Sequence, residues 1–549
     1  MFKPTSPQLS LFEPAVIFPG ALPQDDWSYI FRDKIYPKID ENIFKHLYCE
    51  FWGAPNKSIR LQVSILIFMN MERLTWREAE YQFQRRLDWM NATNTPCDMA
   101  RIDYTTLFKF YTRISEDDVA YDLFQKLTAS FILECKVSVR QQRVDSFFMH
   151  GWLAKLSRYG LFKETNRVFL QNLRKQKPGL YDSIHKELSR AYLKDDFDLT
   201  EKDKEKANKK IHEMADDMYH IKSAFENHHQ VKHYKSFQIL VQVFDQQCSI
   251  VEADKKQAES DNAIEIIIRE RPDGKGKQII SSPHNTDAQY TRKRKQIVTG
   301  HRGFVTETCD LNNDVQYLTD VNLKAAGDSD ANEINNLEDR LEENGFKPEA
   351  LYGDAGFVNG ASILEAAEKN INLEGPSAGR SQSIEGFAKE DRPLDVADFK
   401  VEIEDDTKEL IILSCPNKEF PLDQARSKKT GQLLVHFDNE KCKECSLKDR
   451  CPVKIGAKIS TLTVDEAQYT GAERHHKYMG ETDYRKQCGI RAGAESLVNE
   501  IANKHGARKS RHRTEKKSKL QIILAAISCN VKRYVKHSMD SSAQNQPIM

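Results

Sequence analysis

Segments typical of strands and helices follow one another in a fixed order through the middle of the chain, and this order limits the available folds. The segments are strand patterns at 137–148, near Gly303 and near Val315, a helix at 332–343, a short apolar strand at 350–354 and a helix at 361–368. Asp145 and Asp354 stand at the ends of the first and fourth strands, so their carboxylates could meet if these strands lie adjacent in one sheet. Three strands, a helix, a strand and a helix predict a mixed α/β domain, with a mixed sheet flanked by helices.

The flanking regions have different patterns. Apolar residues at three- and four-residue spacing indicate an all-α unit near the N-terminus, and a charged helical pattern after Arg174 indicates an insertion. We therefore predict a flexible tail at 1–20, an all-α N-terminal domain at 21–135, the first part of the α/β domain at 136–372 with a helical insertion at about 174–262, a cysteine-containing insertion at 373–480, the last helix of the α/β domain with a basic segment at 481–537, and a flexible tail at 538–549.

Composition mainly excludes classes of protein. Lys+Arg and Asp+Glu are equal at 82 each among 549 residues, so any affinity for DNA must come from local basic patches. No stretch approaches the roughly 18 to 20 apolar residues of a membrane helix, and the start lacks the apolar core of a signal peptide. The eleven cysteines are mostly scattered singly, which favours a reducing compartment. We expect a cytoplasmic protein without a membrane segment.

One N-terminal helix has a clear start signal. Thr75 followed by Glu78 predicts a capping box, and we expect this helix to carry Arg85 and Arg86. Such a helix either packs with a solvated basic face or reads DNA.

A late helix, predicted from about Asp483 to Lys504, presents a carboxylate beside the core. Its apolar stripe consists of Ile490, Ala494, Leu497, Val498 and Ile501. Arg491 and Glu495 lie four residues apart on the flank of this stripe. They are either an exposed ion pair worth tenths of a kcal/mol or part of a site with Asp145 and Asp354. Three carboxylates would suit Mg²⁺, which prefers oxygen ligands, and two such ions promote phosphodiester cleavage.

Local sequence favours the second interpretation. Three stretches, in order, resemble the three acidic motifs of bacterial insertion-sequence DDE transposases: Arg143–Ser146, Leu351–Phe357 and Arg491–Glu495. Other segments are similar to further elements of that family, namely His505–Arg511, Ala525–Arg533, Ser282–Ala288 with Gly300 and Thr306–Thr308, and the helical region 25–131.

This resemblance implies a ribonuclease-H-like fold in which Asp145, Asp354 and Glu495 bind two Mg²⁺ or Mn²⁺ ions and Arg491 holds DNA phosphates. It also implies DNA recognition by the N-terminal helical domain, and a homodimer that pairs two DNA ends. The sequence departs from the third motif at Cys488, where the family often has tyrosine; the nearest tyrosine is Tyr484. Lys504 lies nine residues after Glu495 instead of the family's seven, so it is assigned only generally to DNA.

Two further groups have alternative interpretations. The basic segment after the late helix is either a phosphate track or a soluble loop, and its candidate DNA-binding residues are Lys504, Arg508, Lys509, Arg511 and Arg513. A C-x₂-C-x₅-C group with one upstream cysteine predicts either a structural zinc site or reduced, metal-free thiols; its members are Cys415, Cys442, Cys445 and Cys451.

The function expected from these features is metal-dependent cleavage of double-stranded DNA at insertion-sequence terminal repeats, followed by strand transfer into target DNA. Two alternatives remain open. One is a non-catalytic DNA-binding regulator derived from a transposase, and the other is a metal-dependent nuclease that cuts without joining.

Overall fold

The structure is a computed structural model that describes residues 1–5, 14–152, 156–184, 192–193, 199–201, 203–252, 264–273, 279–293, 296–378, 392–404 and 409–544. Parts of the predicted regions, including 6–13, 253–262 and 545–549, lie outside the described residues.

The strands are β1 (Gln141–His150), β2 (Cys248–Glu252), β3 (Ile264–Ile268), β4 (Gln289–Lys293), β5 (Gln296–Thr308), β6 (Leu318–Ala325), β7 (Ala350–Tyr352), β8 (Asn372–Glu374), β9 (Lys400–Ile403), β10 (Leu410–Ser414), β11 (Asp423–Arg426), β12 (Leu433–Phe437), β13 (Lys454–Ile455) and β14 (Ser460–Val464).

The α-helices are α1 (Pro14–Ile17), α2 (Trp27–Ile30), α3 (Ile59–Glu72), α4 (Trp76–Phe83), α5 (Leu87–Ala92), α6 (Tyr104–Ile114), α7 (Val119–Glu134), α8 (Arg158–Gln176), α9 (Pro178–Asp182), α10 (Lys204–Phe225), α11 (Lys235–Gln247), α12 (Asp330–Glu343), α13 (Gly360–Glu368), α14 (Asn439–Glu444), α15 (Glu466–Gly480), α16 (Thr482–Gln487), α17 (Gly493–Asn499) and α18 (Glu515–Gln544).

The central sheet has the strand order β6-β5-β1-β7-β8, and β4 forms a hairpin with the start of β5. Strand β5 is antiparallel to β1 and β6, whereas β7 is parallel to β1 and β8 is parallel to β7. Helices α12 and α13 follow β6 and β7, as the sequence pattern predicts. The predicted mixed, ribonuclease-H-like α/β fold is therefore confirmed.

Side chains alternate between the two faces of β1, so the strand contributes to two cores. Val144 packs with Phe304 and with apolar residues of α12 and α13. Phe147 and Met149 belong to a larger core that also contains residues of α18 and of the N-terminal helices α3 to α7. The N-terminal helices thus share one core with the C-terminal helix and the sheet.

Buried polar contacts join the same elements. The Asn530 side chain, on α18, donates to Thr128 Oγ1 on α7 at 2.9 Å and accepts from the Leu318 backbone nitrogen at 2.9 Å. Ser528 Oγ donates to the Ile67 carbonyl of α3 at 3.1 Å. Because each buried polar group finds a partner on another element, the position of α18 is fixed against both neighbours.

The Thr75 capping box is confirmed, because the Thr75 and Glu78 side chains accept reciprocally from each other's backbone nitrogens. The helix it starts ends at Phe83, so Arg85 and Arg86 lie beyond it, contrary to expectation. Arg86 pairs with Glu72 and Asp88 and thereby holds this turn against neighbouring helices.

The tails differ from the prediction. The Phe2 backbone nitrogen donates to the Cys49 carbonyl at 3.1 Å, and the Thr5 nitrogen donates to the buried Glu41 carboxylate, so residues 1–5 are attached to the N-terminal helices. At the other end, α18 continues past 538 to Gln544, since a helix that packs on one side can extend its hydrogen bonding beyond the core.

Two regions outside the sheet have cores of their own. The helical region between β1 and β4 starts at Arg158, earlier than the predicted 174, and ends in the β2-β3 ribbon; its core comes mainly from α8, α10 and α11. The cysteine-containing region has the hairpin β9-β10 and the sheet β11-β12-β14-β13 around nine buried apolar side chains among the described residues. Within the described ranges, no helix has the length and apolar character needed to cross a membrane.

Candidate active site

Asp145 lies in the interior of β1 and faces the same side of the sheet as Arg143 and Phe147, because side chains alternate along a strand. Its Oδ1 accepts from the Ser146 backbone nitrogen at 2.7 Å. Burial raises the pKa of Asp145 to about 6, and the nearby carboxylates of Asp354 and Asp330 add to this rise. The Ser146 hydrogen bond and the positive charge of Arg491 act in the opposite direction. The Asp145 carboxylate therefore lies within electrostatic range of two other carboxylates and one arginine.

Asp354 reaches Asp145 through the parallel pairing of β1 and β7. Arg143 is the register partner of Tyr352, the last residue of β7, and Asp354 follows two residues later, within electrostatic range of Asp145. The Gly356 backbone nitrogen donates to Asp354 Oδ1 at 2.8 Å and orients the carboxylate. The two strands thus bring together the two aspartates that the sequence singled out.

The prediction of one continuous helix from Asp483 to Lys504 is wrong, because the structure divides this segment into four shorter helical pieces. Helix α16 ends at Gln487, a 3₁₀ turn covers Cys488–Ala492, α17 covers Gly493–Asn499, and a π-helical turn covers Glu500–Lys504. Glycines weaken helices, and the Ile490 carbonyl accepts from Arg143 Nη1 at 3.0 Å at this break.

Arg491 and Glu495 occupy this broken segment, which packs on the Asp145 face of β1. The expected apolar stripe is present, since Ala494, Leu497 and Ile501 are buried. Arg491 is close enough to lower the pKa of Asp145. Glu495 lies one turn further on and is exposed. The structure therefore brings Asp145, Asp354 and Arg491 into one site, and it places Glu495 at the solvent side of the segment that covers them.

The sequence did not point to a third aspartate near the site, the buried Asp330. It begins α12, and Arg302 Nη2 donates to its Oδ2 at 2.5 Å while Arg302 Nε donates to Ser146 Oγ at 3.2 Å. A Cβ atom at Gly356 would lie 2.6 Å from Asp330 Oδ2 and 2.9 Å from Asp354 Oδ1, so both carboxylates border this glycine. No local pattern distinguishes Asp330 from an ordinary first-turn aspartate.

The site has the donor set of a hard divalent cation. The carboxylates of Asp145, Asp354 and Asp330 lie within electrostatic range in a partly buried place, although their oxygens are not all within 4.8 Å of one another. Burial, together with the repulsion from the other two carboxylates, disfavours the ionised state of Asp145. A bound cation would relieve this repulsion, and oxygen ligands are those that Mg²⁺ and Mn²⁺ prefer. The residues present therefore fit the divalent metal that DDE transposase domains generally use.

The basic candidates occupy three different kinds of position. Residues 508–510 add a short parallel bridge beside the end of β1, and the Arg508 guanidinium lies 5.9 Å from the Phe147 ring centre, two positions along the strand from Asp145. Arg511 instead donates to the Leu74 and Arg73 carbonyls, at 2.9 and 3.4 Å, so it holds the N-terminal helices. The remaining candidates, Lys504, Lys509 and Arg513, are exposed.

The four candidate zinc ligands lie within electrostatic range of one another in one region, although no three of their sulfurs are all within 4.8 Å. Burial raises the pKa of Cys442 and of Cys451, and the other three cysteines add to the rise at Cys451. The Cys415 sulfur accepts from the Glu419 backbone nitrogen and the Cys445 sulfur from the Leu447 nitrogen, both at 3.4 Å. Such N–H donors stabilise thiolates.

Among the described residues, two groups of three have ligand atoms all within 4.8 Å of one another, and neither contains these cysteines or the aspartates of the candidate site. They are Glu500 with His505 and Cys529, and Asp395 with Asp398 and His476. Their carboxylates are already engaged, Glu500 by Arg533 and Asp398 by Arg392.

Comparisons with known families agree with the motifs. A family model described as "Transposase DDE domain" matches residues 414–535, and one described as "Transposase domain (DUF772)" matches residues 20–113. The first includes Arg491 and Glu495, while Asp145 and Asp354 lie between the two matched segments. Neither the curated proteins nor the solved structures that were compared gave a match. The two family matches, on a chain with a ribonuclease-H-like sheet, support an insertion-sequence DDE transposase.

Proposed function

We propose that this transposase cleaves DNA at the ends of its insertion sequence and joins the new 3′ ends to target DNA, using Asp145, Asp354 and Glu495 as metal-binding carboxylates. The observation that supports this most directly is the pairing of β1 with β7, which brings Asp354 beside Asp145 with Arg491 in electrostatic range. A partly buried group of acidic side chains with an adjacent arginine is suited to a metal ion and a phosphate.

In this proposal the carboxylates hold two Mg²⁺ or Mn²⁺ ions, which make water or a 3′-hydroxyl nucleophilic and neutralise the scissile phosphate when bound. The chain's own groups orient the ligands: the Ser146 nitrogen fixes Asp145 and the Gly356 nitrogen fixes Asp354. Arg491 and Arg508 bind the phosphates that flank the cut, since arginine suits phosphate geometry. Asp330, already paired with Arg302, supports the site from the edge of α12.

An end-joining assay tests the function. Purified full-length protein with Mg²⁺ is given a labelled duplex that carries the flanking terminal repeats, together with unlabelled target DNA. Products joined to target support transposition. Cleavage without joining favours the nuclease alternative. Binding without cleavage, unchanged by Asp145→Asn, favours the regulator.

The basic residues give a prediction about salt. Arg491→Ala and Arg508→Ala should each lower the slope of log affinity against log salt concentration by about 1, because each removes one phosphate contact. Arg511→Ala should leave the slope unchanged and lower the melting temperature, because its hydrogen bonds go to the Leu74 and Arg73 carbonyls. Fluorescence anisotropy across a salt series measures both. A reduced slope for Arg511→Ala would instead assign that residue to DNA.

We further propose that Cys415, Cys442, Cys445 and Cys451 bind one structural zinc ion. Their mutual proximity and the two N–H···S hydrogen bonds support it. The ion would stabilise the small region around β9 to β14 and would take no part in cleavage. Lys504, Lys509 and Arg513 are proposed to extend the DNA contact, and a homodimer working in the cytoplasm is proposed to pair the two ends.

A further inference from the structure

We propose that Arg143 is a positioning residue that holds the segment carrying Arg491 and Glu495 against the strand that carries Asp145, and that Gly493 provides the space for its guanidinium. This inference rests on the proposed function for its consequence in catalysis. Its structural part stands separately on the contacts below.

Arg143 connects the two elements directly. It lies two residues before Asp145 on the same face of β1. Its Nη1 donates to the Ile490 carbonyl at 3.0 Å, and its Nε and Nη2 donate to Glu307 Oε1 at 2.8 and 2.6 Å. The Glu307 side chain is only 2% exposed, so this charge-assisted contact is shielded from solvent. One side chain thus joins β1 to β5 and to the turn just before Glu495.

Gly493 is needed at this contact because it has no side chain. A Cβ atom there would lie 1.9 Å from Arg143 Nη1 and 2.3 Å from its Cζ. The glycine has φ −63° and ψ −19°, which any residue adopts, so backbone freedom does not explain its presence. Gly489, four residues earlier in the same segment, provides a matched control, because a Cβ atom there would have nothing within 4 Å of it among the described residues.

A second connection holds the other end of the segment. Arg533 Nη1 donates to Glu307 Oε2 at 2.7 Å, and Arg533 Nη2 donates to Glu500 Oε2 at 2.7 Å. Glu307 therefore anchors the segment at both ends, through Arg143 to residue 490 and through Arg533 to residue 500. Glu495 lies between these two attachments.

These contacts fix the distance between the carboxylates of Asp145 and Glu495, which lie on separate elements. Metal ligands must be held within about 0.5 Å of their working positions, and their supporting contacts commonly change metal affinity roughly 10- to 100-fold when removed. Arg143 would serve this purpose for Glu495 relative to Asp145 without touching DNA or metal.

The test compares Gly493→Ala with Gly489→Ala in the full chain. We expect Gly493→Ala to raise the Mn²⁺ concentration for half-maximal cleavage at least about tenfold and to speed amide hydrogen exchange in peptides covering 488–500. Gly489→Ala should match the wild type in both. Arg143→Lys should act like Gly493→Ala, and the double variant should be no worse than either single one, because both changes disturb one contact.

The proposal would be overturned if both Gly493→Ala and Arg143→Lys kept the wild-type Mn²⁺ dependence and the wild-type rate of amide hydrogen exchange. It would also be overturned if Gly489→Ala had the same effects as Gly493→Ala. If Gly493→Ala does not fold, as judged by its melting temperature, Arg143→Lys alone decides between these outcomes. Failure of the proposed function has a different signature: Asp145→Asn and Glu495→Gln would then leave cleavage unchanged, while hydrogen exchange still reports on the Arg143 contact.

Discussion

Replacing Asp145 by asparagine is expected to abolish metal-dependent cleavage and, in the absence of metal, to make the protein more stable at neutral pH. Under the proposed function, loss of this carboxylate removes a charge that would hold the cation, so cleavage should fall by at least about a thousandfold. The gain in stability has a separate cause, which is the raised pKa of the Asp145 carboxyl.

Asp145 has a folded-state pKa of about 6 against an ordinary value of 3.8, so its ionisation costs folding free energy. The cost is absent below roughly pH 4, where the group is protonated in both states, and fully present above roughly pH 6, on the order of 1–3 kcal/mol. Asparagine keeps an oxygen for the Ser146 nitrogen and carries no charge. Stability curves of wild type and Asp145→Asn without metal should therefore converge at low pH and separate at about pH 7.5.

Added Mn²⁺ should reverse the order, raising the melting temperature of the wild type and leaving Asp145→Asn unchanged, because only the ionised carboxylate group binds the cation strongly. Asp122→Asn, at an exposed position on α7, serves as the control and should change neither cleavage nor melting temperature. If Asp145→Asn is less stable than wild type at neutral pH without metal, the carboxylate repulsion inferred for this site is wrong.

Removing Cys442, one of the four proposed zinc ligands, is expected to unfold the region around β9 to β14. Apparent binding free energies of structural zinc are on the order of 10 kcal/mol, whereas the core of this region has nine buried apolar side chains among the described residues. Purified wild type should contain about one zinc per chain by mass spectrometry. Cys442→Ser should lose it and should be cut by protease between 396 and 464 under conditions in which the wild type is resistant.

Cys97→Ser is the matched control, since Cys97 is also partly buried but lies among the N-terminal helices. It should retain zinc and protease resistance. Zinc-free wild type after gentle purification, with a protease pattern shared by Cys442→Ser, would instead identify the four cysteines as reduced, metal-free thiols.

Features with a local cause were predictable from sequence. The alternating strand pattern indicated the order of the sheet elements, the Thr75 capping box depends on residues three apart, and the stripe of Ala494, Leu497 and Ile501 follows from helical spacing. The prediction that both aspartates end their strands is wrong for Asp145, which lies in the interior of β1, so the register that brings Asp354 near it required the structure.

Features that depend on distant residues were not predictable. The break in the late helix involves the Ile490 carbonyl and Arg143, which are 347 residues apart in sequence. Asp330 enters the site only because α12 starts beside Gly356. Arg511 is of a residue type that commonly binds DNA, yet its hydrogen-bond partners are carbonyls more than 400 positions earlier in the sequence. Single-sequence patterns describe neighbours along the chain and contain no information on such contacts.

The core shared by the N-terminal helices and α18 has a consequence for synthesis of the protein. The faces of the N-terminal helices that contact α18 stay uncovered until residues near 520–535 have also emerged from the ribosome. Chains released early would therefore expose this surface and be open to degradation, instead of persisting as a free N-terminal domain. The fold in this way links burial of the N-terminal helices to completion of α18.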